Sequence, residues 1–151
     1  MLKGIFGKIW KKLPPLARLK IIRLSQHKFT ASAAAIITNE SGQLLLLDHF
    51  WRPGSGWGLA GGFLEYGEQP ERAILRELLE ETGLELKNVK LLRTRVVRRH
   101  IEFLFRAEAT GTAEVKSREI RQARWFAPDE LPEKMSVVQK SLIEKVLNEE
   151  V

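Results

Sequence analysis

Three glutamates, Glu77, Glu80 and Glu81, stand at i, i+3 and i+4 in a stretch with helical spacing, which places their carboxylates on one face. Like charges at that spacing repel, and these fall in the last turns, where the helix dipole already disfavours negative charge. At an effective dielectric of about 20, two carboxylates roughly 6 Å apart repel by about 3 kcal/mol before solvent screening. Two readings are open: a solvated acidic face, or a grip on a divalent cation, with Arg76 four residues before Glu80 neutralising part of the cluster. The chain has no cysteine and three histidines. Thiolate ligands, cysteine nucleophiles and disulfides are therefore excluded, and oxygen donors select a hard ion such as Mg2+ or Mn2+.

Upstream, residues 52–62 hold five glycines and a proline around Trp57. So many breakers argue against a regular element and suit close approach of backbone, Gly61 and Gly62 included, to a ligand. Arg52 in this loop and the series Arg93, Arg95, Arg98 and Arg99 are candidates for phosphate contact. On a strand Arg93, Arg95 and Arg99 share a face, and a guanidinium such as that of Arg95 can hold a diphosphate by paired hydrogen bonds; each also fits a solvated surface arginine. Phe50, Trp51 and Trp57 are either stacking surfaces for a nucleobase or packing residues. His49 and His100 lack ligand spacing and receive no role.

The glutamates need a helix, and the sequence predicts one over 69–82, with Pro70 in its first turn and Gly83 at the left-handed C-cap position. Its other side, Ile74, Leu75, Leu78 and Leu79, is a core stripe. Residues 29–38 and 43–48 read as strands joined by the turn Asn39-Glu40-Ser41-Gly42, and so as a hairpin. Residues 89–99 and 101–109 read as paired strands, 123–126 as a short strand and 137–148 as a closing helix. At 151 residues and 44% hydrophobic content the chain suits one domain with one good core.

The formal charge of +6 is unevenly placed. Residues 1–28 carry eight basic residues and no acid, and the remaining 17 basic and 19 acidic residues leave the body slightly negative. Two parts follow: a basic N-terminal segment, 1–28, and a domain, 29–151. Pro14-Pro15 divides the segment. In residues 1–13 the apolar Leu2, Ile5, Phe6, Ile9, Trp10 and Leu13 oppose a lysine face, an amphipathic pattern that fits binding to an anionic membrane surface or nucleic acid, or packing on the domain or a second copy. Residues 16–24 are helical only by weak period. The near-neutral body argues against a stable nucleic-acid partner. No apolar run reaches the roughly 20 residues of a membrane span, and none near the N-terminus makes a signal peptide, so a cytoplasmic location is expected.

The run from Gly62 through Glu68, Arg76-Glu77-Leu78 and Glu80-Glu81 to Gly83-Leu84 resembles a complete Nudix box, with every specified position filled. A preceding hairpin, the Trp57-Gly58-Leu59 approach and the late segment 125–131 extend the resemblance loosely from Phe29 to the C-terminus. Ala60 stands where many members of that family carry proline. The resemblance implies an α/β (α+β) fold, an α/β/α sandwich with a mixed β-sheet and a loop–helix–loop metal site for Mg2+ or Mn2+. It implies Glu77, Glu80 and Glu81 as metal ligands, and Glu68 and Arg76 as a structural pair. Glu119 resembles a distal acidic residue that adds a ligand or acts as base, and fits equally a surface glutamate in the charged run 116–121.

The implied activity is cleavage of a phosphoanhydride bond in a nucleoside diphosphate-linked or nucleoside triphosphate substrate. The metal would neutralise phosphate oxygens and activate a water, and a carboxylate, Glu80 or Glu81 with Glu119 as a substitute, would take its proton. The proline that follows the box in many ADP-ribose hydrolases is absent between Gly83 and Pro128, and substrate identity stays open. The alternative is a catalytically weak Nudix-like ligand-binding or regulatory module with a membrane- or nucleic-acid-associating N-terminal helix. Isomerases on the same fold depend on a cysteine that this chain lacks.

Overall fold

The computed structural model describes residues 7, 10–52, 54 and 56–148. Helix α1 (Pro15–Ser25) begins with proline at its first position and buries none of its residues. Strands β1 (Thr30–Thr38), β2 (Leu44–His49), β3 (Trp57–Gly58) and β4 (Ala60–Phe63) precede helix α2 (Pro70–Thr82). Strands β5 (Lys87–Val97), β6 (His100–Glu108) and β7 (Ile120–Phe126) and helix α3 (Val137–Asn148) complete the chain. Among the described residues no helix is long and apolar enough to cross a membrane.

The seven strands among the described residues form one mixed sheet. β1 runs parallel to β6 from Thr30 opposite His100 to Thr38 opposite Glu108, and antiparallel to β4. β5 and β6 are the antiparallel pair that the sequence suggests. Both faces of the sheet are covered, so β1 and β2 read as near-continuous apolar runs whose alternate residues enter two cores. Ala33, Ala35, Ile37, Leu45 and Leu47 pack with Ala73, Ile74 and Leu78 of α2. Ile36, Leu44 and Leu46 pack on the other face with Ile143 of α3. That is the expected helix–sheet–helix layering.

Several local expectations need correction. β1 and β2 touch as a hairpin only at Thr38 and Leu44, then diverge, because β1 takes β4 and β6 as neighbours while β2 takes β7 and β3. The turn closes as expected: the Asn39 side-chain oxygen accepts from the amides of Ser41 and Gln43, and Gly42 supplies the positive φ. The glycine-rich stretch is not all loop, since β3 and β4 lie within it; small residues let β4 pass close against β1. β5 ends at Val97, and Arg98 and Arg99 form the turn to β6, with Arg98 at φ 56°. Arg99 therefore does not share a strand face with Arg93 and Arg95. The expected helix over 1–13 lies largely outside the described residues.

Candidate active site

α2 carries the glutamates because its apolar stripe docks Ala73, Ile74 and Leu78 on the sheet and Gly83 stops it in the left-handed region at φ 72°. The loop before it is tied back by Arg76. Arg76 Nε and Nη2 donate to the two Glu68 oxygens, each at 2.9 Å, a bidentate pair, and Nη2 also donates to the Phe63 carbonyl at 3.2 Å. Hydrogen bonds from Arg76, then the Glu65 amide, hold the Glu68 carboxyl down to about 2. The same pairing raises Arg76 above its ordinary value. Arg76 Nη1 reaches Glu77 Oε1 at 2.9 Å and Glu80 Oε2 at 3.4 Å.

The three glutamates are not equivalent. The Glu80 side chain is largely exposed, Glu77 is partly covered, and Glu81 is only 6% exposed. Glu77 lies over the Gly62 backbone so closely that a Cβ there would collide with its carboxylate. Glu81 accepts from the Gly61 amide. Gly61 itself, at φ 146°, is pressed against β1, where a Cβ would meet the Ala33 carbonyl. Both glycines are thus needed for contacts, one with the sheet and one with the acidic centre.

Burial, then the charge of Glu77, pushes the Glu81 carboxyl up to about 8; Glu119 adds to the rise, while Arg52 and the Gly61 amide oppose it. Glu77 is also raised, chiefly by burial, with Arg76 opposing. Glu119 is brought to the site by main-chain pairing, because the Phe50 amide donates to its carbonyl at 2.7 Å, and its field reaches Glu81.

His49, which the sequence left without a role, closes the inner side. Its Nδ1 lies 3.9 Å from Glu81 Oε1, too far for a hydrogen bond, and burial followed by Arg52 lowers it to about 4, so it is neutral at pH 7. The signal available in the sequence was slight: a polar Asp48-His49 pair ending an otherwise buried strand beside the glycine loop.

Arg52 joins this acidic centre to a cleft of about 470 Å³ lined by Arg52, Trp57, Arg95, Lys134, Ser136 and Gln139. The structure therefore gathers Arg52, Trp57 and Arg95, and adds the polar Lys134, Ser136 and Gln139, which no local motif marked. The Arg52 guanidinium covers Gly58, where a Cβ would strike it. Burial lowers the Arg52 pKa and Glu81 partly restores it. Trp57 packs edge-on against Phe126, with ring centroids 5.0 Å apart. Arg93 lines a separate hollow with Lys145, and Phe50 sits under Arg121 at 4.7 Å. A larger cavity of about 640 Å³ lies by Thr38, Lys87, Arg106 and Glu108 and contains none of these residues.

Among the described residues, buried side-chain atoms without a hydrogen-bond partner occur on Arg18, His49, Arg52, Glu81, Arg95 and Gln139. All but Arg18 belong to the acidic centre or the cleft, and a buried polar atom left unpaired costs free energy. No three Asp, Glu or His side chains among the described residues already converge as a ligand set; Arg76 holds Glu77 and Glu80 instead. The donor chemistry nonetheless suits a hard divalent ion: carboxylate oxygens, an unpartnered Glu81 Oε2, and a proton affinity raised first by burial and then by the charge of Glu77.

A NUDIX domain family model matches residues 28–146. A MutT-like protein of Streptomyces ambofaciens is 36% identical over 115 residues, 72% of this chain and 71% of that protein. The NAD-capped RNA hydrolase NudC of Pectobacterium carotovorum is 32% identical over 95 residues, 60% of this chain, and the match spans only 36% of that relative. The MutT NUDIX hydrolase of Burkholderia pseudomallei superposes with a TM-score of 0.68 at 27% identity, over 79% of this chain and 98% of that one. The NUDIX domain of Shewanella oneidensis NrtR, solved with ADP ribose, shares the fold with a TM-score of 0.71 at 18% identity, over 96% of this chain and 98% of that one. With the box residues gathered at one acidic centre and the family model spanning most of its length, the chain belongs to the Nudix hydrolase family.

Proposed function

We propose that the protein hydrolyses a phosphoanhydride bond in a nucleoside diphosphate-linked or nucleoside triphosphate substrate, using Mg2+ or Mn2+ held by Glu77, Glu80 and Glu81. The observation that carries this is Glu81, a buried carboxyl beside Glu77 with one oxygen unpartnered. When bound, the cation would neutralise diphosphate oxygens and acidify a water beside it. Arg52, between the acidic centre and the cleft, pairs with the diphosphate oxygens, while Gly61 and Gly62 let strand β4 pack on β1 and under Glu77. Arg76 and Glu68 keep the loop against α2. In this reading Glu80, the most exposed of the three, or Glu119 takes the proton from water on the open side, while Glu81, the buried one, serves as a ligand.

The test is a product-identification screen over a nucleotide panel with Mg2+ or Mn2+. Glu81→Gln and Glu80→Gln are expected to lose roughly 10²- to 10⁴-fold in kcat, the usual range for a lost catalytic group. Wild-type rates in both variants would refute the roles given to them. A silent binding module is not favoured, since every carboxylate of the box is retained.

The N-terminal segment is proposed to rest on an anionic membrane surface. Leu16, Leu19, Ile21, Ile22 and Leu24 of α1 are exposed, interleaved with Arg18, Lys20 and Arg23, and no acid lies within residues 1–28. In sedimentation with phosphatidylserine vesicles the full chain is expected to pellet and a chain lacking residues 1–28 to stay free. Equal behaviour of the two, or a shift to dimer or RNA binding instead, would reject the membrane reading.

A further inference from the structure

The cleft that meets the acidic centre at Arg52 is lined by three cationic side chains, Arg52, Arg95 and Lys134. Arg52 lies over Gly58 beside Gln139 in the cleft wall and is also the cation that acts on Glu81, so it stands at the junction of centre and cleft, with Arg95 and Lys134 in the same lining. Arg95 is braced from behind, its Nη2 donating to Glu102 at 3.0 Å, yet its Nε is buried without a partner. Arg52 Nη1 is in the same state, and so is Gln139 Oε1, an acceptor in the same wall.

Two guanidinium groups that each keep a buried, unpaired donor nitrogen, and an ammonium on the same cleft, match an anion rich in acceptor oxygens; a neutral base would leave those donors unmatched. Gln139 and the Ser136 hydroxyl supply what a sugar hydroxyl needs. We propose that this cleft is a subsite for a phosphate group additional to the scissile diphosphate. The extra group is either a phosphomonoester on the substrate's sugar or the end of a longer polyphosphate chain. The inference deepens the hydrolase reading and rests on it for the identity of the scissile group.

The test uses binding, so that it is independent of turnover. The full-length protein, kept free of divalent cations and at fixed ionic strength, is titrated calorimetrically with adenosine monophosphate, adenosine 2′,5′-bisphosphate and α,β-methylene adenosine triphosphate. At least one of the two extra-phosphate ligands is expected to bind about tenfold more tightly than the monophosphate, as one added charge-assisted contact would give. Gain with the bisphosphate alone places the phosphate on the sugar; gain with the triphosphate analogue alone places it at the chain end. Lys134→Gln, on an exposed position, and Arg95→Gln are expected to remove most of that gain, while Lys90→Gln, an exposed strand lysine outside the cleft, keeps it. Equal affinity for all three ligands, or a gain that survives in both cleft variants, overturns the proposal. A wild-type protein that hydrolyses no nucleotide would sink the hydrolase reading while leaving this comparison intact.

Discussion

Glu81 shows how one side chain can be made to wait for a cation. Its carboxyl is held up to about 8 by burial and by Glu77, so in the metal-free protein near pH 7 it is mostly protonated. The folded state then binds a proton that the unfolded state has released, which stabilises the fold at low pH and is lost as pH rises through about 8. His49 acts in the opposite sense, because its folded value near 4 lies below the ordinary 6.5, and its cost appears only as pH falls below 6.5. The window from pH 6.5 to 8.5 therefore isolates Glu81. Thermal melts of metal-free protein are expected to fall across it, by roughly 1–2 kcal/mol of stability, and Glu81→Gln to stay flat. A wild-type curve as flat as that of the variant would show that Glu81 does not titrate there.

At the scale of elements, β4 is the strand that turns a helix of glutamates into a site. It enters beside β1 and presents Gly61 and Gly62 under Glu81 and Glu77, so the two glycines make different demands. Gly61→Ala would drive a Cβ into the β1 carbonyl at a positive φ, and is expected to lower the melting temperature. Gly62→Ala meets a carboxylate instead, and is expected to spare the fold but weaken Mn2+ affinity by displacing Glu77. Circular dichroism melts and Mn2+ titration separate the two; the reverse pattern would contradict this division.

α2 was legible from sequence because its period, Pro70 and Gly83 are local signals that agree, and β5 with β6 because they are adjacent. β4 was not, since its pairing with β1 is non-local and its glycines read as loop. The same cause hid the parting of β1 from β2, as the strands that pair along β1, β4 and β6, do not adjoin it in the chain.

For the whole molecule, the box was visible as a motif, but the cleft was not. It assembles residues 52, 57, 95 and 134–139 across the sheet, and Lys134, Ser136 and Gln139 sit in a stretch with no spacing that would mark them. His49 escaped for the same reason: its meaning comes from Glu81, which folding alone brings near. What unites these parts is a division of charge, with carboxylates crowded on one side of Arg52 and cations on the other. The hold of such a site on the scissile diphosphate depends on a divalent cation that offsets the glutamates.

That dependence can be measured directly by titrating the protein with Mn2+ in buffers of different ionisation heat. Because Glu81 holds a proton up to about pH 8, cation uptake at pH 7 is expected to release most of one proton per site, and the release to vanish above about pH 9 and in Glu81→Gln. No uptake of Mn2+, or uptake with no proton released at pH 7, would contradict the assignment of Glu81 as the buried ligand on which the site is built.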